Sequence, residues 1–396
     1  MLCRGKKLPF NILVLSDYDS RVKWGLSLAL RVAAPSCIDI VLRKDQERKV
    51  ERYLTGLRKR IFAVDPLKAI SGMDLEGYDM VVFAIGGGSN VKVQSVLRQR
   101  FQAGRKRPLL VGGFNGLTDK YDPDPILNRV GLDVVTVNCN ADRVAFERTL
   151  SQAGADSPAL IATGYLRLYP ESEFSAVSKG GLILFAQQDG VPKSPKAFAY
   201  LIDKLASFAS ASPDVRVAIK LRDERRIGIN RGNSSYDAKT IVDGVLKRHG
   251  SKNIYLDYRH VEEIMMESSE VWSVSSTVLL EALAQGKGAY CISDFGISRY
   301  LGNAPFLGSG MFVRLDELHH RHKLSPDPGW IDDNAPKEIA ADKLMEFLRT
   351  ELEGIERKKY NFRKVSYMPS PWLTNTPSQG LRGLFDRVVG NFRNIH

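Results

Sequence analysis

Ser275-Ser276-Thr277 stands where a short apolar run, Val271–Val274, gives way to a helical stretch, Thr277–Gln285. Hydroxyls and free backbone N–H groups at such a junction hold an anion such as phosphate. Glu281 follows about one and a half turns into the helix, where its carboxylate would accept hydrogen bonds from ribose hydroxyls. Gly286 ends the helix. Each residue also has a plainer role, an N-cap for Ser275 and a solvated helix face for Glu281. Strand, Ser-Ser-Thr, Glu and Gly in one run favour a nucleotide. A second group lies upstream. The run Leu184–Gln188 (LFAQQ) ends in Gln187-Gln188, and Val217–Arg222 (VAIKLR) ends in Lys220-Leu221-Arg222. Strand alternation puts Lys220 and Arg222 on one face. There they would neutralise a phosphate or a sugar carboxylate, Arg222 through a bidentate fork, or simply face water.

The amino-terminal half offers a different chemistry. Ser16-Asp17-Tyr18-Asp19-Ser20 follows the first apolar run directly. A carboxylate there, Asp17 or Asp19, would deprotonate an acceptor hydroxyl; Asp19 or Ser20 could equally cap the next helix. Gly86-Gly87-Gly88 and Gly112-Gly113-Phe114-Asn115-Gly116 follow later strands. Glycine lets a ligand approach the backbone closely, so Ser20, Lys23, Gly87, Gly88 and Asn115 are expected to wall an acceptor pocket; ordinary tight turns fit the glycines nearly as well. Neither GxGxxG nor GK[ST] is present, so no dinucleotide or P-loop site is expected. The stretch Asp119–Asp124 departs from an EF-hand loop. His319, His320 and His322 lack a ligand partner pattern such as HExxH. No metal and no cofactor are expected.

These residues need strand ends and helix starts to position them. Apolar runs at Asn11–Ser16, Ile38–Leu42, Tyr78–Ile85, Pro108–Val111 and Asp133–Val137 alternate with helical stretches at Val22–Ala34, Gln46–Arg60 and Val91–Gly104. The pattern restarts with strands Gly181–Ala186, Val215–Leu221, Ile254–Leu256, Val271–Val274 and Gly288–Ile292 and helices Pro195–Ala211, Thr240–His249, His260–Ser268 and Thr277–Gln285. Continuous apolar strands between helices predict parallel sheets covered on both faces. The fold class is therefore α/β, with two Rossmann-like domains facing across a cleft. The first would span residues 1–175 and the second 176–335; residues 336–396 would form C-terminal helices. The join falls near Tyr169–Gly180, and Pro336–Lys358 and Leu384–Phe392 read as the last helices.

The chain carries 57 Lys and Arg against 45 Asp and Glu. Residues 1–107 alone hold 21 basic and 10 acidic residues, so nearly all the surplus sits there. A basic face attracts nucleic acid, acidic lipid or an anionic glycan. No nucleic-acid motif accompanies it, so no nucleic-acid partner is expected. The helix Gln46–Arg60 carries Val50, Tyr53, Leu54 and Leu57 as one apolar stripe, expected to pack on the sheet and leave its cations for an anionic membrane surface. No apolar run reaches the ~18–20 residues of a spanning helix. Four separated cysteines without a CxxC pair fit a cytoplasmic protein, peripheral at the inner membrane face.

The segment Val271–Gly310 resembles the donor half of GT-B glycosyltransferases. Its Ser-Ser form is similar to bacterial sialyltransferases and capsule Kdo transferases, which use CMP-activated sugars. The strand ending in Gln187 and the strand ending in Lys220 and Arg222 resemble the Kdo-transferase plan. Sialyltransferases have His-Pro near the second strand end, where this chain reads Lys220-Leu221-Arg222. Asp19-Ser20-Arg21-Val22-Lys23-Trp24 and Ser293-Asp294-Phe295-Gly296 resemble an uncharacterised bacterial family described as glycosyltransferases, over residues 10 to about 315. The resemblance implies sugar transfer from a nucleotide-sugar donor to a glycan or lipid-linked acceptor in surface-polysaccharide synthesis. A sugar-nucleotide epimerase or glycerophosphate transferase on the same fold, or a non-catalytic sugar-binding protein, are the alternatives.

Overall fold

The computed structural model describes residues 10–64, 66–101, 107–119, 122–155, 157–164, 181–188, 190–222, 236–334 and 341–353. The chain separates into two compact units, residues 1–169 with 338–396, and residues 170–337.

The first unit runs β1 (Ile12–Ser16), α1 (Asp19–Val32), β2 (Ile38–Arg43), α2 (Glu47–Val50), β3 (Lys59–Ala63), α3 (Pro66–Ser71), β4 (Met80–Ala84), α4 (Gly87–Arg100), β5 (Leu109–Gly113), α5 (Asp124–Leu127), β6 (Val134–Val137), α6 (Asn140–Gln152) and β7 (Ala159–Ala162). Its seven strands are parallel, in the order β3-β2-β1-β4-β5-β6-β7. The run Ile12–Leu15 is apolar throughout because both faces of β1 are covered. Ile12 and Val14 enter the core under α1, while Leu13 and Leu15 enter the core on the opposite face with Phe83 and Phe146. Each such burial contributes about 1.5–3 kcal/mol. Gly25 lets α1 lie close: a Cβ there would stand 2.7 Å from Ala84 Cβ and 3.0 Å from Val14 Cγ1.

The second unit runs β8 (Leu182–Ala186), α7 (Pro195–Ser210), β9 (Arg216–Lys220), α8 (Ala238–His249), β10 (Ile254–Leu256), α9 (Val261–Glu267), β11 (Glu270–Ser273), α10 (Val278–Ala284), β12 (Gly288–Ile292), β13 (Phe312–Val313) and α11 (Pro328–Asn334). Its six strands are also parallel, in the order β10-β9-β8-β11-β12-β13. Local chemistry sets the helix ends. Ser194 accepts from the Ala197 N–H ahead of Pro195 at the start of α7, Asp237 accepts from the Thr240 N–H at the start of α8, and Gly250 ends α8 at φ +67°. A last described helix, α12 (Ala341–Glu353), belongs to the first unit, with Leu344, Leu348 and Leu352 in the core beside α1.

Three features differ from the sequence reading. The long basic helix Gln46–Arg60 is not formed: α2 ends at Val50, Gly56 turns at φ +79°, and Lys59–Ala63 pairs with β2 as an edge strand. Glycine in that conformation stops a helix, and Ile61 and Phe62 find cover on the sheet. Val50, Tyr53, Leu54 and Leu57 nevertheless join the core. The helix placed at Val91–Gly104 begins at Gly87, so two of the three glycines are its first turn. Arg107, one of the 21 basic residues counted toward a basic face, is 2% exposed and paired with Asp133. The join at Tyr169–Gly180 and the tail helix Leu384–Phe392 lie outside the described residues.

Candidate functional site

In each sheet the strand order reverses between two neighbours, β1 and β4 in the first and β8 and β11 in the second. The crevice beyond the carboxyl ends of such strands is where open α/β sheets hold ligands.

In the second unit this crevice brings Gln187 and Ser275-Ser276-Thr277 onto adjacent strand ends. Ser273 Oγ donates to the Ala186 carbonyl at 2.7 Å and ties β11 to β8. Ser275 and Ser276 are buried, and Ser275 Oγ is enclosed without a hydrogen-bond partner among the described residues. An unsatisfied buried hydroxyl costs about 1–3 kcal/mol. Ser276 Oγ accepts from the Val278 N–H at 3.3 Å. The N–H groups of Ser276 and Thr277 donate to no acceptor among the described residues. Glu281 is half-buried in the first turn of α10.

The other predicted donor residues are placed differently. Gln187 is buried; its Oε1 accepts from the Arg222 N–H at 3.2 Å, and its Nε2 donates to the Gln188 carbonyl. Its amide thus holds the β8 end against the β9 end. Lys220 Nζ donates to the Tyr258 carbonyl at 3.3 Å, toward β10. The Arg222 side chain is exposed. Beyond β10, Arg259 beside Asp257 holds that carboxyl below the usual carboxylate range.

In the first unit Asp17 bridges the reversal point. Its Oδ1 accepts from Arg21 Nη1 at 2.6 Å, and its Oδ2 accepts from the Gly86 N–H at 2.9 Å. Asp19 opens α1, half-buried, with Oδ1 accepting from the Ser20 N–H at 2.8 Å. Asn115 Nδ2 donates to Ser20 Oγ at 3.0 Å, so the loop after β5 reaches the start of α1. Gly87 and Gly88 form the uncapped first turn of α4, whose N–H groups have no intrahelical acceptor. A Cβ on Gly87 would stand 2.6 Å from Asn128 Nδ2, whereas one on Gly88 would meet nothing within 4 Å. Lys23 is not brought to this group; it lies over the Tyr53 ring, 5.4 Å from the centroid.

The sequence reading also passed over residues that the fold makes prominent. Arg21 is one: it stands in the Asp19–Trp24 run and four residues from Asp17, but the sequence reading gives it no role. Arg129 is another, with no signal in the sequence. Asp294 Oδ2 accepts from the Leu315 N–H at 2.8 Å and shapes the loop after β12. His319 packs against Phe208 with the rings tilted and their centroids 4.9 Å apart. Among the described residues no helix is long and apolar enough to cross a membrane.

Two parallel sheets, each with a reversal in strand order and polar loops at its carboxyl edge, define an α/β protein of the GT-B-like kind. The UDP-GlcNAc 2-epimerase of Neisseria meningitidis, solved with UDP-GlcNAc, is similar with a TM-score of 0.58 and 12% identity over 87% of this chain and 100% of that one. Anabaena HepE, solved with UDP, gives 0.52 and 12% over 87% and 100%. The wall teichoic acid polymerase TagF gives 0.52 and 10% over 89% and 91%. At such identities the likeness establishes the fold. No curated protein sequence matches the chain. Residues 12–350 match the model of one family, described as "Putative glycosyltransferase (DUF6716)", and the chain belongs to that family.

Proposed function

We propose that this protein transfers a sugar from a nucleotide-sugar donor bound by the second unit to an acceptor hydroxyl bound by the first. The observation that carries the donor side is the Ser275–Thr277 turn: an unpartnered hydroxyl and two free N–H groups at the reversal point of the second sheet. Such a turn suits the phosphates of a donor, with Glu281 on the ribose. On the acceptor side, Asp19 is the base. Both oxygens of Asp17 are engaged with Arg21 and Gly86, so Asp17 serves to position the loop. In the transfer, Asp19 takes the proton of the acceptor hydroxyl and the acceptor oxygen bonds to the anomeric carbon. The bond from that carbon to the phosphate oxygen breaks, and the nucleotide leaves with the electron pair.

Two donor classes are to be told apart. The Ser-Ser turn resembles enzymes of CMP-activated sugars, and two of the similar structures hold a uridine nucleotide. Calorimetric titration with CMP, UDP, GDP and CDP decides between them. Ser275→Ala/Ser276→Ala and, separately, Glu281→Gln are each expected to weaken the preferred nucleotide by about tenfold, since a hydrogen bond to a charged group contributes about 1.5–3 kcal/mol. Unchanged affinity in folded variants refutes the donor site. Release of that nucleotide from its sugar with a new glycosidic product identifies a transferase; isomerised nucleotide sugar without release identifies an epimerase.

The setting we propose is surface-polysaccharide synthesis, with a glycan or lipid-linked acceptor at the inner membrane face. Arg48, Lys49, Lys59 and Arg60 are exposed on the first unit, and each cation near an acidic bilayer is worth about 1 kcal/mol. The protein is expected to sediment with acidic-lipid vesicles at low salt, to be released at high salt, and to ignore neutral ones. Equal partition to both vesicle types, or none to either at low salt, rules the membrane out.

A further inference from the structure

Arg129 lies outside the machinery described so far. It is 8% exposed, just beyond α5. Its Nε donates to the Gly113 carbonyl at 3.2 Å and its Nη1 to the Pro125 carbonyl at 2.6 Å. The guanidinium lies over the Phe114 ring, 4.2 Å from the centroid. Carbonyls and a ring face orient it, but no carboxylate pairs with it among the described residues, and its Nη2 donates to none of them. A buried charge is normally paired, because desolvation costs several kcal/mol per ion. Here the neighbouring charge has the same sign. Burial first, and then Arg21, push Arg129 down to about 9.

Arg21 connects this cation to the reversal point. It reaches across Gly86, where a Cβ would stand 3.1 Å from its Nη1. Gly86 precedes α4, a helix of 14 residues whose first turn no side chain caps. Asp17 matches the charge of Arg21, which leaves the charge of Arg129 unmatched. The carboxyl edge of β1, β4 and β5 therefore combines a fixed guanidinium, a second one near it, and first-turn N–H donors of α4 with no acceptor among the described residues.

We infer that Arg129, with Arg21 beside it, is an anion-binding residue of the acceptor side, taking a carboxylate or phosphate group of the acceptor. The guanidinium fork suits either group. An acidic sugar or a phosphorylated carrier is then the acceptor class. This assignment of the anion to the acceptor rests on the reading of the first unit given above.

The test is calorimetric titration of the full chain with inorganic phosphate and with glucuronate at low salt. It is run in the Ser275→Ala/Ser276→Ala background, which weakens the proposed donor phosphate site. At least one probe is expected to bind, and the one that binds tells phosphate from carboxylate. Adding Arg129→Gln should weaken it tenfold or more. No binding of either probe, or unchanged affinity in folded Arg129→Gln, overturns the inference. Should Arg129→Gln not fold, Arg21→Gln decides, its position being one-third exposed: a threefold or greater loss supports the site and unchanged affinity overturns it. Wild-type protein that binds none of the four nucleotides, yet loses the anion with Arg129, refutes sugar transfer and leaves the anion site standing.

Discussion

Asp19→Asn is expected to lower kcat for sugar transfer by about 100- to 10,000-fold, the usual contribution of a positioned general base. The substitution keeps the shape of the side chain and the bond that Oδ1 accepts from the Ser20 N–H. It removes the negative charge and with it the ability to take a proton. Donor affinity, a property of the second unit, should stay within about twofold of wild type. Asp17→Asn supplies the contrast. Its oxygens hold Arg21 and Gly86, so its loss should show first as lower resistance to urea, with a smaller effect on kcat. Steady-state kinetics and urea unfolding of the two variants separate the roles. An undiminished kcat in Asp19→Asn would remove it as the base, and a larger loss in Asp17→Asn would transfer the role.

The largest effect on stability is expected at Asp133. Arg107 Nη1 and Nη2 donate to Asp133 Oδ2 and Oδ1 at 2.7 and 2.8 Å, and Oδ2 also accepts from the Leu110 N–H at 2.8 Å. Arg107 is 2% exposed and Asp133 8%. The pair precedes β5 and β6, so it fastens the amino edge of the sheet whose carboxyl edge carries Gly113 and Asn115. Removing one partner of a buried ion pair costs about 3–5 kcal/mol. A domain has about 5–15 kcal/mol in total, so Asp133→Ala should consume much of that margin. The double substitution Arg107→Met/Asp133→Leu should cost less than either single change, because it leaves no charge behind. Urea unfolding of the three variants checks this. A loss below about 1 kcal/mol in Asp133→Ala would show that the pair contributes little.

Much of the architecture was legible in the residues alone. Ile12–Leu15 and Met80–Ala84 are apolar at every position, and only a strand covered on both faces has use for that. The serines after β11 and the acids after β1 could be placed at carboxyl ends because the chain direction and the strand–helix alternation are local properties. Edge strands were harder. Lys59–Ala63 begins with two cations and joins a sheet only because β2 offers it an edge, and a helix reading of the preceding residues won on pattern.

What the sequence determined by itself was the α/β class, two successive strand–helix series, and the polar loops that could hold phosphate or a base. Only the tertiary structure decided which of those residues meet. It set Gln187 to holding β8 against β9, Lys23 over Tyr53, Arg107 against Asp133, and Arg129 near Arg21 with no carboxylate paired to Arg129 among the described residues. Hydropathy and capping act between residues a few positions apart, so one strand of text displays them. Asp17 meets Gly86 only because the reversed sheet order sets β1 beside β4, and Arg129 meets Gly113 only because the chain after β5 folds back onto the end of that strand. That order is a global property of the packed chain, chosen by the burial of both sheet faces together.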